Sequence, residues 1–296
     1  MFRVVGIGEL LWDLLPTGAQ IGGAPANYAY HAGSLGAEAR TISRIGNDAF
    51  GYEMLTQLHT LGVSTGCVQM DETVPTGTVA VEIDAAGQPC FFITPDVAWD
   101  HLQVTPEALS AASSADAICF GTLAQRDPVA RASIRSLVAA SSSEALRILD
   151  VNLRQQFFSP VLIEESLHLA TVLKVNDLEL PQLATMFGLT GTDHAQMQQL
   201  AQRWQLRAVA LTRGERGSAL LTEHGWSEHP GVRVTVVDTI GAGDAFTAAM
   251  TIGLLSGWAL DDVNAHANRV AAFVASHAGG TPPLPAGITA SFTARI

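Results

Sequence analysis

Short apolar runs of strand length alternate along this chain with longer stretches of helical pattern. The strand-like runs fall at 4–7, 39–45, 117–120, 147–151, 172–175, 208–212 and 232–237, and Ala- and Leu-rich segments such as 50–61 and 128–140 lie between most of them. This alternation predicts βαβ units and a mostly parallel sheet with helices on both faces. Two places break the rhythm. Runs at 78–83 and 89–94 flank Asp84-Ala85-Ala86-Gly87 and predict a hairpin, and a second hairpin is predicted from 218–222 and 226–229. With no internal repeat, low-complexity tract or long linker, the expectation is a single α/β domain over 1–296 carrying a small β excursion.

Of the 296 residues, 48% are hydrophobic, ample for a buried core. The opening MFRVVGIG reads as a buried strand rather than a charged region followed by an apolar one, so no signal peptide is expected. Nor does any apolar run reach the roughly 18 residues of a membrane span; the apolar stretch 245–255 reads as a core helix. Cys67, Cys90 and Cys119 are odd in number and form no CxxC pair, which points to buried thiols in a reducing cytoplasm rather than zinc or disulfides. The net charge of −12, from 16 basic and 28 acidic residues, argues against nucleic acid and anionic lipid as partners. Lys174 is the only lysine, so an anionic nucleotide would depend on backbone amides, bound cations or a few arginines.

Several motifs fail on inspection. Gly6-Ile7-Gly8 follows the first strand as a dinucleotide fingerprint does, but Leu11 stands where a third Gly or Ala should close the helix on the sheet. Gly62-Val63-Ser64-Thr65-Gly66 matches the serine-hydrolase string in a reversed context, after a helix and before a strand, and reads as a turn. Lys174 has no glycine near it, which excludes a Walker A loop, and HRD, DFG and HExxH strings are absent. His224 and His229 read as solvent-facing residues near a hairpin.

The segment 237–246, Val-Asp-Thr-Ile-Gly-Ala-Gly-Asp-Ala-Phe, is sharper. It predicts the end of a strand, a tight turn at two glycines, and an apolar helix starting near Asp244. Backbone N–H groups of 241–244 would then point outward at the positive end of the helix dipole, forming an anion site made of backbone. Asp244 would stand where it can take a proton from a hydroxyl attacking a bound phosphoryl group. An aspartate at a helix start is, taken alone, more often a cap.

The whole string DTIGAGDAF closely resembles the C-terminal signature of the ribokinase/PfkB carbohydrate kinase family. Gly22-Gly23-Ala24-Pro25-Ala26-Asn27 resembles the N-terminal signature, continuing into Gly36 and the segment 45–51, and the agreement runs in order from Gly8 to Gly280. The resemblance implies an α/β, ribokinase-like three-layer fold with a mostly parallel central sheet and a small β lid contributed by about 12–22 and 76–98. It also implies transfer of the γ-phosphoryl group of ATP to a sugar hydroxyl with Mg²⁺, and in many members K⁺. A lid excludes water and so favours transfer over hydrolysis. The segment between Asp13 and Gly22 looks shorter than in many relatives, which argues against lid-mediated dimerisation while a homodimer stays open.

By the same resemblance Asp244 is the base, and Gly241, Ala242 and Gly243 form the anion hole. Asp13, Gly22, Gly23 and Asn27 hold sugar hydroxyls, although without the family match Gly22-Gly23 as a turn and Asn27 as a cap would be the preferred explanation. Asn152 and Arg154, in a D-x-N-x-R segment, are contacts to phosphate or substrate, with Asp150 alternatively pairing with Arg154. Asn176 and Glu179 match an N-x-x-E element that places Mg²⁺ through water; a capping box is the competing explanation. Thr212 and Gly214 lie near the nucleotide, Asn268 near the adenine, and Asp238, Ile240 and 276–280 mark the monovalent cation loop.

The run Gly8-Glu9-Leu10-Leu11-Trp12-Asp13 resembles fructokinases and 2-keto-3-deoxygluconate kinases more than ribokinase. An acidic sugar needs a cation, and up to residue 125 only Arg3, Arg40 and Arg44 are available, Arg3 in a strand expected to be buried. A neutral hexose such as fructose is therefore the first expectation. Arg154 keeps the keto-deoxy acid as an alternative, and ribose or a nucleoside stays open. A non-catalytic ribokinase-like binding protein is opposed by the intact Asp244 and anion-hole glycines. Hydroxymethyl-pyrimidine and pyridoxal kinases share the fold but usually lack the paired glycine signature.

Overall fold

The apolar runs become two sheets in the computed structural model, which describes residues 1–15, 18–83 and 89–293. The first strands are β1 (Arg3–Ile7), β2 (Leu11–Leu15), β3 (Gly18–Gly22), β4 (Glu38–Gly46), β5 (Val68–Asp71), β6 (Gly77–Ile83) and β7 (Pro89–Ile93). After them come β8 (Ala117–Phe120), β9 (Leu146–Asp150), β10 (Val172–Asn176), β11 (Ala208–Thr212), β12 (Ser218–Thr222) and β13 (Gly225–His229). The helices are α1 (Ala24–Ser34), α2 (Ala49–Thr60), α3 (Pro106–Ser113), α4 (Pro128–Ala139) and α5 (Pro160–Leu169). They continue as α6 (Leu180–Phe187), α7 (Asp193–Trp204), α8 (Ala242–Leu255), α9 (Leu260–Ala275) and α10 (Ala286–Thr293).

The nine-stranded sheet runs β13-β12-β11-β10-β9-β8-β1-β4-β5 and is parallel from β11 to β5. Only the β12–β13 hairpin, foreseen from the sequence, runs antiparallel at its edge. Central strands are buried on both faces, which is why they read as continuous apolar runs. Tyr28, Phe246, Val263 and Val270 of α1, α8 and α9 cover one face. Ala111, Leu137, Ile163, Leu183 and Leu200 of α3 to α7 cover the other. A third cluster around Trp12, Ile45, Met54 and Leu58 seats the small sheet. No helix among the described residues is long and apolar enough to cross a membrane.

The four-stranded small sheet has the order β3-β2-β6-β7, two hairpins joined by parallel β2–β6 pairing. Its entry is pinned by Asp48, the cap of α2, whose carboxylate accepts from Thr76 N at 2.8 Å and Thr76 Oγ1 at 2.7 Å. Its exit is held by buried Arg126, which donates to Asp100 Oδ1 at 2.8 Å and to Thr94 O at 2.6 Å. The sheet is thereby fixed over the C-terminal ends of β1, β9, β10 and β11, the end of an open parallel sheet where ligands bind.

Two expectations need correction. Segment 232–237 is not a strand: Pro230–Gly231 turns the chain across Gly217, where a Gly231 Cβ would meet Gly217 N at 2.9 Å, and so leads it away from the sheet edge. Three of its four valines, Val234, Val236 and Val237, are left exposed, and the Val237 amide donates instead to Ala275 O at 2.9 Å. α8 does begin near Asp244, which is its third residue, with Gly241 as its cap. Arg3 is exposed at the start of β1 and binds Asp116, not buried. The turn 84–87 lies outside the described residues, although Ile83 and Pro89 pair antiparallel on either side of it.

Candidate active site

Gly241 has φ 73°, and a Cβ there would stand 2.4 Å from Gly280 O, so only glycine closes this turn. α8 starts immediately after it, leaving the amides of Gly243 and Asp244 without intrahelical partners. The Ala242 amide instead turns back to Thr239 O at 3.3 Å. Asn27, inside α1, donates through Nδ2 to Asp244 Oδ2 at 2.8 Å and fixes the carboxylate. Burial lifts the pKa of Asp244 from 3.8 to about 6 and the charge of Asp150 adds to this, while Asn27, Lys174 and Arg154 oppose.

Lys174, on β10, is buried with Nζ 3.1 Å from Asp150 Oδ1 and 3.2 Å from where a Gly243 Cβ would stand. The other Asp150 oxygen accepts Thr247 Oγ1 at 3.1 Å. Burial pulls the ammonium's pKa down, but the carboxylates of Asp150, Glu179 and Asp244 outweigh it and the net shift is upward, so Lys174 is charged. Asp150 therefore pairs with Lys174, not with Arg154.

Across the cavity Asp13 projects from β2, beside Gly22, which lies opposite Leu11 in the β2–β3 register. Gly23, the cap of α1, has φ 116°, and a side chain there would also strike Glu9 O at 2.4 Å, so the position takes glycine. Burial raises Asp13 from 3.8 to about 6, Arg154 opposing. Glu9 is 3% exposed with Oε2 lacking a hydrogen-bond partner, and burial raises its carboxyl from 4.5 to about 7. Asn152 and Gln155 hold φ of 42° and 48°, a conformation uncommon outside glycine, on the loop that carries Arg154.

One cavity of about 720 Å³ gathers Asp13, Gly23, Asn27, Asn152, Arg154, Asn176, Thr212, Ile240, Gly241, Gly243 and Asp244 on its wall. Lid side chains Leu11, Leu15, Val79 and Ile93 close its apolar side. Gly22, Ala242, Glu179, Gly214, Asp238 and Asn268 are not on that wall. Glu179 stands behind Asn176 in a capping box: Asn176 Oδ1 accepts from Glu179 N at 2.9 Å and Glu179 Oε2 from Asn176 N at 2.8 Å. Its Oε1 accepts Leu153 N at 2.9 Å, which ties the Asn152–Arg154 loop to β10. Asn268 is buried between α9 and β12, with Nδ2 donating to Ser218 Oγ at 2.7 Å and Asn264 O at 2.8 Å. Asp238 accepts Ile240 N at 3.0 Å and Gly279 N at 3.1 Å, so the structure does bring 238–240 against 276–280.

Two charged wall residues escaped the sequence reading, Glu9 and Lys174. The signal for Lys174 was present: a lone charge inside an otherwise apolar, doubly covered strand needs a partner and a reason. Glu9 offered a weaker one, a carboxylate just past the C-terminal end of β1. Chemically, the arrangement puts a fixed carboxylate, unpaired amides and a buried ammonium at one point of a half-apolar cavity. A hydroxyl between Asp244 and a phosphoryl group held at Gly241–Asp244 would lose its proton as it attacks.

Residues 17–287 match the profile described as pfkB family carbohydrate kinase. A sugar kinase of Pyrococcus horikoshii, otherwise uncharacterised, was solved in complex with ATP; it superposes with a TM-score of 0.78 at 28% identity over 94% of each chain. A Solanum tuberosum protein named fructokinase is 27% identical over 306 residues, 95% of this chain and 92% of its own. A double-mutant fructokinase of Vibrio cholerae O395, bound to fructose, ADP and a potassium ion, superposes with a TM-score of 0.79 at 25% identity over 98% of each chain.

Proposed function

The chain belongs to the pfkB family of carbohydrate kinases and is an ATP-dependent sugar kinase, and from that premise we propose that it phosphorylates a neutral hexose, fructose first, with Asp244 as the base. The observation that carries this reading is the fixed Asp244 carboxylate, held by Asn27 beside the amides of α8 and the Lys174 ammonium. The sugar hydroxyl attacks the γ-phosphorus, a new O–P bond forms as the bond to the ADP oxygen breaks, and the hydroxyl proton passes to Asp244. Gly241, Gly243 and Lys174 meet the negative charge on the transferred group, with Ala242 shaping the turn.

A neutral sugar is favoured by the charges that face it. Glu9 and Asp13 stand on the sugar side against Arg154, and the second cation, Lys174, is already paired with Asp150. A sugar acid would add a third carboxylate to that side. The 2-keto-3-deoxygluconate reading rests on Arg154 alone. The fructose and ADP bound by the Vibrio cholerae enzyme support the hexose.

Magnesium would arrive with the nucleotide and neutralise its phosphates. Glu179 suits a contact through water, since both of its oxygens are engaged by main-chain amides and Asn176 stands between it and the cavity. Asp238, with Ile240 and 276–280, offers oxygen of the kind K⁺ takes, behind the anion hole. Thr212 and Gly214 remain proposed nucleotide contacts. Asn268, its amide committed to Ser218 and Asn264, would act by shaping the adenine end.

Coupled ADP release from Mg-ATP with K⁺, measured across fructose, other hexoses, ribose, 2-keto-3-deoxygluconate and adenosine, tests the assignment. A single strong response to fructose is expected; a response confined to the keto-deoxy acid would replace it. Asp13→Ala should raise the sugar KM by about 10- to 100-fold, on the order of a lost charged hydrogen bond, and leave the ATP KM near its starting value. Equal effects on both would remove Asp13 from the sugar side.

The pH profile has a worked sign. Asp244 and Asp13 both titrate near pH 6 and both act ionised, so kcat/KM should be flat above about pH 7 and fall below 6. The limiting acid slope should approach two in the wild type and one in Asp13→Asn; a profile flat down to pH 4 would exclude Asp244 as the base.

A further inference from the structure

α1 touches the reaction turn at a second point besides Asn27. His31, one helical turn further on and on the same face, is fully buried, and its Nε2 lies 2.8 Å from Gly280 O. Burial holds the imidazole neutral, its pKa lowered from 6.5 to about 4. A neutral ring facing a carbonyl must donate from Nε2, which leaves Nδ1 bare, and Nδ1 is indeed buried without a partner. That arrangement is costly for a side chain that merely fills space. The Gly280 carbonyl it grips is the atom a Gly241 side chain would strike, 2.4 Å from the position of that missing Cβ. The same glycine packs on the Asn27 amide, which holds Asp244.

We propose that His31 is a positioning residue of the anion hole: through Nε2–H it fixes the Gly280 carbonyl on which Gly241 rests, so that α1 braces base and anion hole from one helix face. The proposal rests on the kinase reading above, since it assigns His31 an effect on phosphoryl transfer. Its reach extends one step further, because Gly279 N donates to Asp238, which in turn accepts Ile240 N. Loosening Gly280 would therefore disturb both ends of the turn 238–241.

The test separates donor geometry from bulk. His31→Gln keeps an N–H at the distance of Nε2, whereas His31→Asn falls short of it. His31→Asn should lower kcat about 10- to 100-fold, the order expected for a misplacement near 1 Å, with the sugar KM changed less than about twofold. His31→Gln should restore most of the loss. Gly280→Ala, whose Cβ would press on Asn27 and Ile240 Cγ2 at 3.2–3.3 Å, attacks the same brace without removing the histidine and should also lower kcat. A folded His31→Asn with wild-type kcat overturns the proposal; should that variant not fold, Gly280→Ala with wild-type kcat overturns it. Asp244→Asn, assayed alongside, isolates the kinase reading: if that variant turns over normally, the reading has failed, whereas an inactive Asp244→Asn beside an unaffected His31→Asn sinks only the brace.

Discussion

Asp244→Asn is expected to lower kcat by about 10²–10⁴-fold, the usual worth of a general base, while the ATP KM stays near its wild-type value. Asparagine keeps the shape and still accepts the Asn27 hydrogen bond, so the loss isolates proton transfer. The same change should raise the melting temperature at pH 7. The folded-state pKa of Asp244 is lifted from 3.8 to about 6, so its favourable contribution is complete below pH 3.8 and lost as pH rises through 6. At pH 7 the native site thus holds a poorly solvated charge that asparagine lacks, and near pH 4 the gain should shrink toward zero. An inactive variant that is also less stable at pH 7 would mean that folding, not chemistry, had been damaged.

Lys174→Met should damage stability and rate together. It leaves Asp150, 4% exposed, as a buried charge with only Thr247 among the described residues to satisfy it, a loss on the order of 3–5 kcal/mol. It also removes the ammonium beside Gly243, which should cost kcat about 10²–10³-fold, as for other donors to developing charge. The two effects separate in Lys174→Met with Asp150→Asn. That pair should recover most of the stability, measured by thermal melting, and little of the rate. Recovery of both would make Lys174 a purely structural partner of Asp150.

The legible and illegible parts of this molecule divide on physical grounds. Gly241, Gly243 and Asp244 could be read because a turn into a helix N-terminus is local, and nine consecutive residues fix it. The parallel sheet and the two predicted hairpins were legible for the same reason, as period and punctuation are written along the chain. Segment 232–237 misled because its strand propensity is real, but pairing requires a free neighbouring edge and the turn at Gly231 leads it away. Lys174 and Asp150 meet across a strand pair, 24 residues apart, and nothing local declares that contact. Asn268 shows the same limit: its amide is turned toward Ser218, a residue of β12 that only the fold brings to it, as well as to its helical neighbour Asn264.

Phosphorus NMR of the wild type and Asp244→Asn, each with Mg-ATP, K⁺ and fructose, tests the central claim most directly. A sugar-phosphate resonance growing in step with ADP in the wild type, and absent from a variant that still binds ATP, is the expected result. Orthophosphate in place of a sugar phosphate, or equal sugar phosphate from the variant, would contradict Asp244-driven transfer to the sugar.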